Sequence, residues 1–191
     1  MTITPLPIPT PDLVRDAQVR FDQDESSGPA DRVLYRVFAH HPDNVELEDV
    51  LLKVVLLNGL YATNVFALTA MATHIHRLQI DPKLASGSTE LVDQIACLEI
   101  RGKTRRHYSF ATKYCSWHHP DDYPIYDSMV EKLLWAYHAQ HHFAQFSRPD
   151  LQDYSRYKSV LVAFGHHFGL GAFSFKQVDK YLWYTSRRLR S

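Results

Sequence analysis

The run Leu51-Leu52-Lys53-Val54-Val55-Leu56-Leu57 most limits what this chain can fold into. On a helix, successive side chains turn by about 100°, so these residues point apolar groups in nearly every direction. A helix of that kind has to be enclosed by others, which predicts a central, buried helix within a helical fold. Asp43-Asn44 is expected to cap it, with Glu46, Glu48 and Asp49 in the first turn, where the helix dipole favours acids. Lys53 interrupts the run, and no apolar stretch approaches the roughly 18 residues of a membrane span.

The flanking patterns repeat the helical theme. MTITPLPIPTP (1–11) is expected to be an extended arm, followed by a helix from Asp12 to about Phe21, a turn at Asp24–Asp31 and a short helix through Val33–Phe38. Asn58-Gly59 weakens the central helix, and Tyr61–Asn64 links it to a helix from Val65 to about Gln79. Phe66, Leu68, Met71, Ile75 and Leu78 are the predicted core stripe of that helix. A loop with one helical turn at Asp81–Thr89 precedes a helix over Glu90–Ile100. A tight basic hairpin over Arg101–His107 then leads into the next helix. Towards the end, an irregular segment spans Gln140–Pro149 and a helix spans Leu151–Phe168. A capping box, Ser174 with Gln177, opens a last helix at Phe175–Leu189. No strand is expected. The predicted fold is all-α, with eight or nine helices and two lobes allowed by the length of 191 residues.

The stretch Ser109–Leu134, SFATKYCSWHHPDDYPIYDSMVEKLL, carries the best chemical lead. Phe110, Tyr114 and Trp117 keep near-helical spacing until Pro120 ends the helix. Tyr123-Pro124-Ile125-Tyr126 is too short and too apolar for a floppy loop. It predicts a buried extended segment that places Asp127 at the mouth of a helix carrying Met129, Leu133 and Leu134. Most aspartates in that position are plain caps.

Two separated pieces resemble the helix–hairpin–helix DNA glycosylase superfamily, which includes endonuclease III and the 8-oxoguanine glycosylases. Leu51–Arg77 is similar to the superfamily's buried helix, its turn written LLSxQATD, and the following helix; Arg101–Val130 is similar to its hairpin, helix and proline-to-aspartate segment. The likeness covers Leu51 to about Leu134 and implies that Asp127 is catalytic, with the flanking helices completing a second lobe. Several departures accompany it. Relatives write P-x-D where this chain has Pro124-Ile125-Tyr126-Asp127, and the phosphate-gripping G-x-G falls on Arg105-Arg106-His107. Counting back about 18 positions from Asp127, where relatives place a Schiff-base lysine, gives Ser109. The iron–sulfur cysteines are missing, since the chain holds only Cys97 and Cys115. The resemblance therefore implies a monofunctional enzyme that relies on the aspartate and needs no cofactor.

Breaking an N-glycosidic bond builds positive charge on the sugar, which a fixed carboxylate stabilises. Spacing of four puts Ser109, Lys113 and Trp117 on one helix face, expected to look towards Asp127 and form a base pocket with Tyr126. Lys113 could donate to a base carbonyl or act as an amine nucleophile, or could be a surface lysine. Trp117 could stack on the base or belong to the core. Tyr61 matches the place where relatives insert a side chain into the gap left by the flipped base, and otherwise packs between lobes. Asn64 either touches the opposite strand or caps a helix. Arg101, Lys103, Arg105 and Arg106 form a dense basic cluster, either a phosphate footprint or a solvated charge run. Arg187, Arg188 and Arg190 read as a solvated helix end.

The twelve histidines come largely in adjacent pairs, which point about 100° apart on a helix and rarely share an ion; no metal site is expected. Asp121-Asp122 reads as a turn, and Cys115 as a buried thiol. Formal net charge is zero, so no global field attracts nucleic acid, and no glycine-rich phosphate loop predicts a nucleotide cofactor. The N-terminus lacks the pattern of a signal peptide, and a cytoplasmic monomer is expected. The reading is a DNA glycosylase acting in base excision, on damaged bases in DNA repair or on a bulky modified pyrimidine of phage DNA in antiviral defence. The alternatives are a DNA-binding or protein-interaction module of the same fold, and a histidine-based metal hydrolase.

Overall fold

The computed structural model describes residues 6–189, so the expectations for residues 1–5 and Arg190 lie outside them. The protein is mostly helical, and it divides into two compact units. One is continuous, residues 25–125; the other combines both ends of the chain, up to Asp24 and from Tyr126 onwards.

The continuous unit contains α2 (Ser27–His40), α3 (Leu47–Tyr61), α4 (Leu68–Leu78), α5 (Asp81–Ala85), α6 (Glu90–Ala96), β1 (Cys97–Ile100), β2 (Lys103–Arg106) and α7 (Tyr108–His118). α3 packs on α2, α4 and α7, and α6 packs on α4 and α7. Val50, Val54 and Leu57 of α3 are buried, but Leu52, Val55 and Leu60 are exposed, so α3 is not enclosed all round as its composition predicts. α7 is the enclosed helix. Its residues Tyr108 and Phe110–Trp117 are all buried, including Thr112, Lys113 and Ser116. Polar groups inside a helix bundle need partners. Thr112 satisfies this by donating to the Ser109 carbonyl at 3.0 Å.

Lys53 is wholly buried, and its network ties the unit together. Its ammonium donates to the carbonyls of His41 (3.1 Å) and Asp43 (2.7 Å) and to Asn44 Oδ1 (2.9 Å), one acceptor for each of its three hydrogens. Asn44 Oδ1 also accepts from the Tyr114 hydroxyl at 2.6 Å. The Asn44 amide nitrogens, backbone and side chain, donate to the two oxygens of Asp81. Asn44 is therefore a buried junction between α3, α5 and α7 rather than the expected cap; α3 starts at Leu47 with Glu46 at the cap position.

Three further boundaries differ from expectation. α2 begins at Ser27, within the predicted turn. α4 begins at Leu68 rather than Val65, which buries Val65 and leaves Phe66 82% exposed instead of in the core. α6 stops at Ala96, and Cys97–Arg106 forms an antiparallel two-stranded ribbon where helix and a tight hairpin were expected. At its turn Arg101 (φ 51°) and Gly102 (φ 71°) both lie in the left-handed region, the signature of a type I′ hairpin turn that matches strand twist.

The other unit contains α1 (Pro11–Gln23), α8 (Ser128–His141), a 3-10 helix at Arg148–Gln152, α9 (Tyr154–His167) and α10 (Phe175–Arg188). Thr10 caps α1 with Pro11 at its first position, so the arm ends one residue earlier than expected. The predicted Ser174–Gln177 capping box opens α10. α10 packs on α1 and α8. The Tyr137 hydroxyl lies 2.9 Å from that of Tyr181 and 2.8 Å from the Pro7 carbonyl, anchoring the arm. No helix among the described residues is long and apolar enough to cross a membrane.

Burial lowers the Lys53 pKa from 10.5 to about 8, against the opposing pull of Asp81, Asp49 and Asp43. The unfolded chain then binds this proton more tightly than the folded one, so between about pH 8 and 10 the contribution of Lys53 to stability rises with pH. Burial of Cys115, which raises its thiol, acts in the opposite direction from about pH 9, and burial of Tyr114 and Tyr137, which raises both phenols, does so from about pH 10. Between pH 8 and pH 9.5 the stability read by urea unfolding is expected to rise by about 1–2 kcal/mol relative to that of Lys53→Met. Equal slopes for the two proteins would remove Lys53 as its source.

Candidate functional site

Asp127 lies in the unit built from the two chain ends. The preceding segment is buried and irregular, with Tyr123, Pro124, Ile125 and Tyr126 all inaccessible, as predicted. It delivers Asp127 in an extended conformation (φ −136°, ψ 140°) to the mouth of α8, where Oδ1 accepts from the Met129 amide at 2.8 Å. This is the geometry of an N-cap, and it fixes the carboxylate at the positive end of a fourteen-residue helix. Next to it in sequence, the Tyr126 hydroxyl donates to Glu131 at 3.3 Å and accepts from Gln152. Burial and the Glu131 charge push this phenol up to about 12, so Tyr126 is a neutral donor at physiological pH. Glu131 is held in turn by Arg148 at 2.7 Å.

The continuous unit gathers four other predicted residues. Lys113 is 3% exposed, which excludes the surface-lysine reading. Its Nζ donates to Ser109 Oγ at 2.6 Å, the i, i+4 contact that the spacing predicted, and lies 5.4 Å from the centre of the Tyr61 ring. Trp117 donates from its indole nitrogen to the Tyr61 hydroxyl at 3.3 Å and packs near Phe38 with ring centres 5.9 Å apart. Tyr61 is thus held by a tryptophan and a lysine of its own unit and is only half-exposed, unlike a side chain projecting freely as a wedge. Asn64 is exposed in the left-handed region (φ 59°) and caps no helix; Ala67 holds that position.

The Asn58 side chain organises the loop after α3. Its Oδ1 accepts from Thr63 Oγ1 (3.0 Å) and from the Val65 amide (2.8 Å). With Ala62 and Asn64 both at positive φ, the chain turns sharply, buries Val65 and projects Phe66 outwards.

The basic cluster is split by the ribbon. Arg106 pairs with Asp93 at 2.7 Å and lies over the Tyr108 ring at 4.1 Å. Arg101, Lys103 and Arg105 are exposed and have no ion-pair partner among the described residues. These three residues and Phe66, Leu98 and Ile100 line a groove of about 310 Å3. Burial and the Arg105 charge hold the adjoining His107 below its usual pKa. Sequence reasoning missed this groove because it placed Phe66 in a core stripe; the available signal was Asn58, a good local hydrogen-bonding residue just before the loop.

Among the described residues no group of three or more His, Cys, Asp or Glu side chains is arranged to hold a metal. Cys115 is fully buried, and burial raises its thiol pKa strongly, which makes it a poor nucleophile. Burial and the Lys53 charge hold His118 neutral, lowering its pKa to about 3.

Residues 13–122 match the model of a family named HI_0787_N and described as an N-terminal domain. The chain belongs to the HI_0787_N family. A protein of Haemophilus influenzae, described as uncharacterized, is 39% identical over 148 residues, which cover 77% of this chain and 71% of that protein. No solved structure matches. The HI_0787_N match includes the Phe66 loop, the ribbon and α7, and ends at residue 122, before Asp127.

Asn58→Ala removes the acceptor shared by Thr63 and Val65. It is expected to destabilise the protein by about 1–2 kcal/mol in urea unfolding and to speed proteolytic nicking within residues 62–67. An unchanged cleavage rate there would mean that the loop is held by other means.

Proposed function

We propose that this chain is a monofunctional DNA glycosylase of the helix–hairpin–helix kind, with Asp127 as its catalytic residue. The observation that carries the reading is the position of Asp127. A buried extended segment ends on a carboxylate fixed at a helix mouth, in the order helix, basic hairpin, helix, proline, aspartate. The union of both chain ends into one unit, with a second unit made of one continuous segment, agrees with the two lobes that the resemblance implies. The β-ribbon in place of a glycine nest is a departure, and it moves phosphate binding from backbone N–H groups to cationic side chains.

In the proposed reaction the target nucleotide leaves the stack, and the bond between C1′ and the base nitrogen breaks with its electron pair going to the base. The Asp127 carboxylate stabilises the positive charge on the sugar. It then accepts a proton as water adds to C1′, leaving an abasic sugar, while the departing base takes up a proton. Lys113, Trp117, Ser109 and Tyr126 are the proposed base-recognition residues, and Tyr61, Asn64 and the ribbon cations the proposed DNA contacts. The protein is proposed to act as a cytoplasmic monomer without cofactor, on damaged bases or on bulky modified pyrimidines of phage DNA.

A second reading is favoured by one contact: Asp127 already serves as a cap through Met129, which a non-catalytic DNA-binding module would need just as much. Asp127→Asn separates the two, because asparagine caps as well as aspartate but carries no charge. The substitution is expected to leave thermal stability and DNA binding unchanged. Base release from DNA panels that include modified phage genomes, read as alkali-labile sites, is expected to fall at least about 100-fold. Intact DNA binding with no alkali-labile sites from the unmutated protein on any panel would leave the binding module. Strand breaks without alkali would assign a lyase step to Lys113.

A further inference from the structure

Cross-strand partners of an antiparallel pair project to the same face, so the register divides the ribbon into two unlike surfaces. Cys97 pairs with Arg106 and Glu99 with Thr104; on that face Arg106 is neutralised by Asp93. Leu98 pairs with Arg105 and Ile100 with Lys103, so the opposite face sets two aliphatic side chains beside two cations that have no ion-pair partner among the described residues. Phe66 stands against this second face. It is the most exposed large apolar side chain among the described residues, and Asn58, Thr63 and the buried Val65 hold its loop in place.

The geometry points to a binding groove for single-stranded DNA, in which one unstacked base lies on the Phe66 ring and its flanking phosphates meet Lys103 and Arg105. This rests on the DNA-directed reading above and adds the strandedness of the DNA to it. Three features carry the inference. Unpartnered cations fit a polyanion, and the aliphatic floor between them fits something with apolar faces as well as charge. A strand of nucleic acid alternates in just this way. The ring of a base in a duplex is already covered by its neighbours, whereas an unpaired base offers a free face for an aromatic platform. The groove volume of about 310 Å3 lies at the small end of the roughly 300–1,000 Å3 of ligand sites, which suits one base with its sugar. The type I′ turn adds a third cation, Arg101, at the tip, where a continuing strand would pass.

The test measures binding of the full chain to a fluorescent single-stranded oligonucleotide across a salt series. Phe66→Ala is expected to weaken binding about tenfold or more with the salt slope unchanged, and Phe66→Trp to restore it. Lys103→Gln with Arg105→Gln is expected to reduce the slope by about 1.4, the release of counterions from two single-strand phosphates. A blunt duplex of the same sequence is expected to bind more weakly and to be insensitive to Phe66→Ala. Because Phe66 is exposed, its truncation leaves the core untouched.

Unchanged affinity in Phe66→Ala would overturn the inference, as would equal binding of duplex with an equal loss on truncation. Displacement of the oligonucleotide by polyglutamate as readily as by DNA would also overturn it, by showing charge without base recognition. So would a dimer of the unmutated protein that Phe66→Ala dissociates. Base release by the unmutated protein and by Asp127→Asn, assayed on the same DNA, keeps the two ideas apart. Phe66-dependent binding without base release sustains the groove and removes the glycosylase. Base release by a protein whose Phe66→Ala variant binds normally does the reverse.

Discussion

A buried ammonium sets the internal geometry of the continuous unit. Lys53 loses all contact with water, and an isolated charge in such a place would lose its proton or push the chain open. The fold answers with three acceptors, two of them backbone carbonyls at His41 and Asp43 in the segment before α3. Their orientation is fixed by the need to point at one nitrogen. The third acceptor, Asn44, relays the constraint to Asp81 at the start of α5 and to Tyr114 in the middle of α7. Three helices and a loop therefore share one polar centre inside an otherwise apolar core. A network of this kind is stable only when every member is satisfied, so it specifies one arrangement more sharply than aliphatic packing does.

That constraint explains why α7 rather than α3 is the enclosed helix. Tyr114 is drawn to the centre by its hydrogen bond, and the helix it belongs to is surrounded on every side, so its polar residues have to find partners locally. Ser109 and Lys113 do so with each other, which places a buried amine beside the ring of Tyr61, whose hydroxyl accepts from the Trp117 indole. Hydrophobicity alone pointed to α3, because the run Leu51–Leu57 is the most apolar in the chain. Yet Leu52, Val55 and Leu60 of α3 are exposed, and among the four residues that it buries is the charged Lys53.

The parts that were legible in the sequence follow from local rules. Caps at Asp127 and Ser174, the helix stop at Pro120, the buried Tyr123–Tyr126 segment and the contact between Ser109 and Lys113 all depend on residues within a few positions of each other. The parts that were not legible depend on competition between two periods or on distant partners. Leu91, Ile95 and Leu98 keep the i, i+4, i+7 spacing of a helix, so the pattern runs past Ala96 without a break. The chain instead uses Leu98 and Ile100 at strand spacing, because the Arg101-Gly102 turn folds Lys103–Arg106 back onto them. The same ambiguity misplaced Phe66. Starting the helix at Leu68 instead of Val65 exchanges which of the two adjacent residues is inside, and the hydrogen bonds of Asn58 that decide the matter are not written in any hydrophobic pattern.

A chain with zero formal charge has no long-range field to bring a polyanion to it, so any affinity for nucleic acid has to come from where the charges are left unpaired. The ribbon shows how a short element creates that asymmetry. Alternation along β2 sends Lys103 and Arg105 to one face and Arg106 to the other, where Asp93 of α6 cancels it. Without the hairpin these cations would form one mixed cluster partly neutralised by the same carboxylate. With it, the compensated arginine braces the ribbon against α6 and the ring of Tyr108, while the uncompensated pair stands beside Phe66. One arginine thereby serves the fold so that its two neighbours remain available to a ligand, and the division follows from nothing more than the two-residue period of a strand.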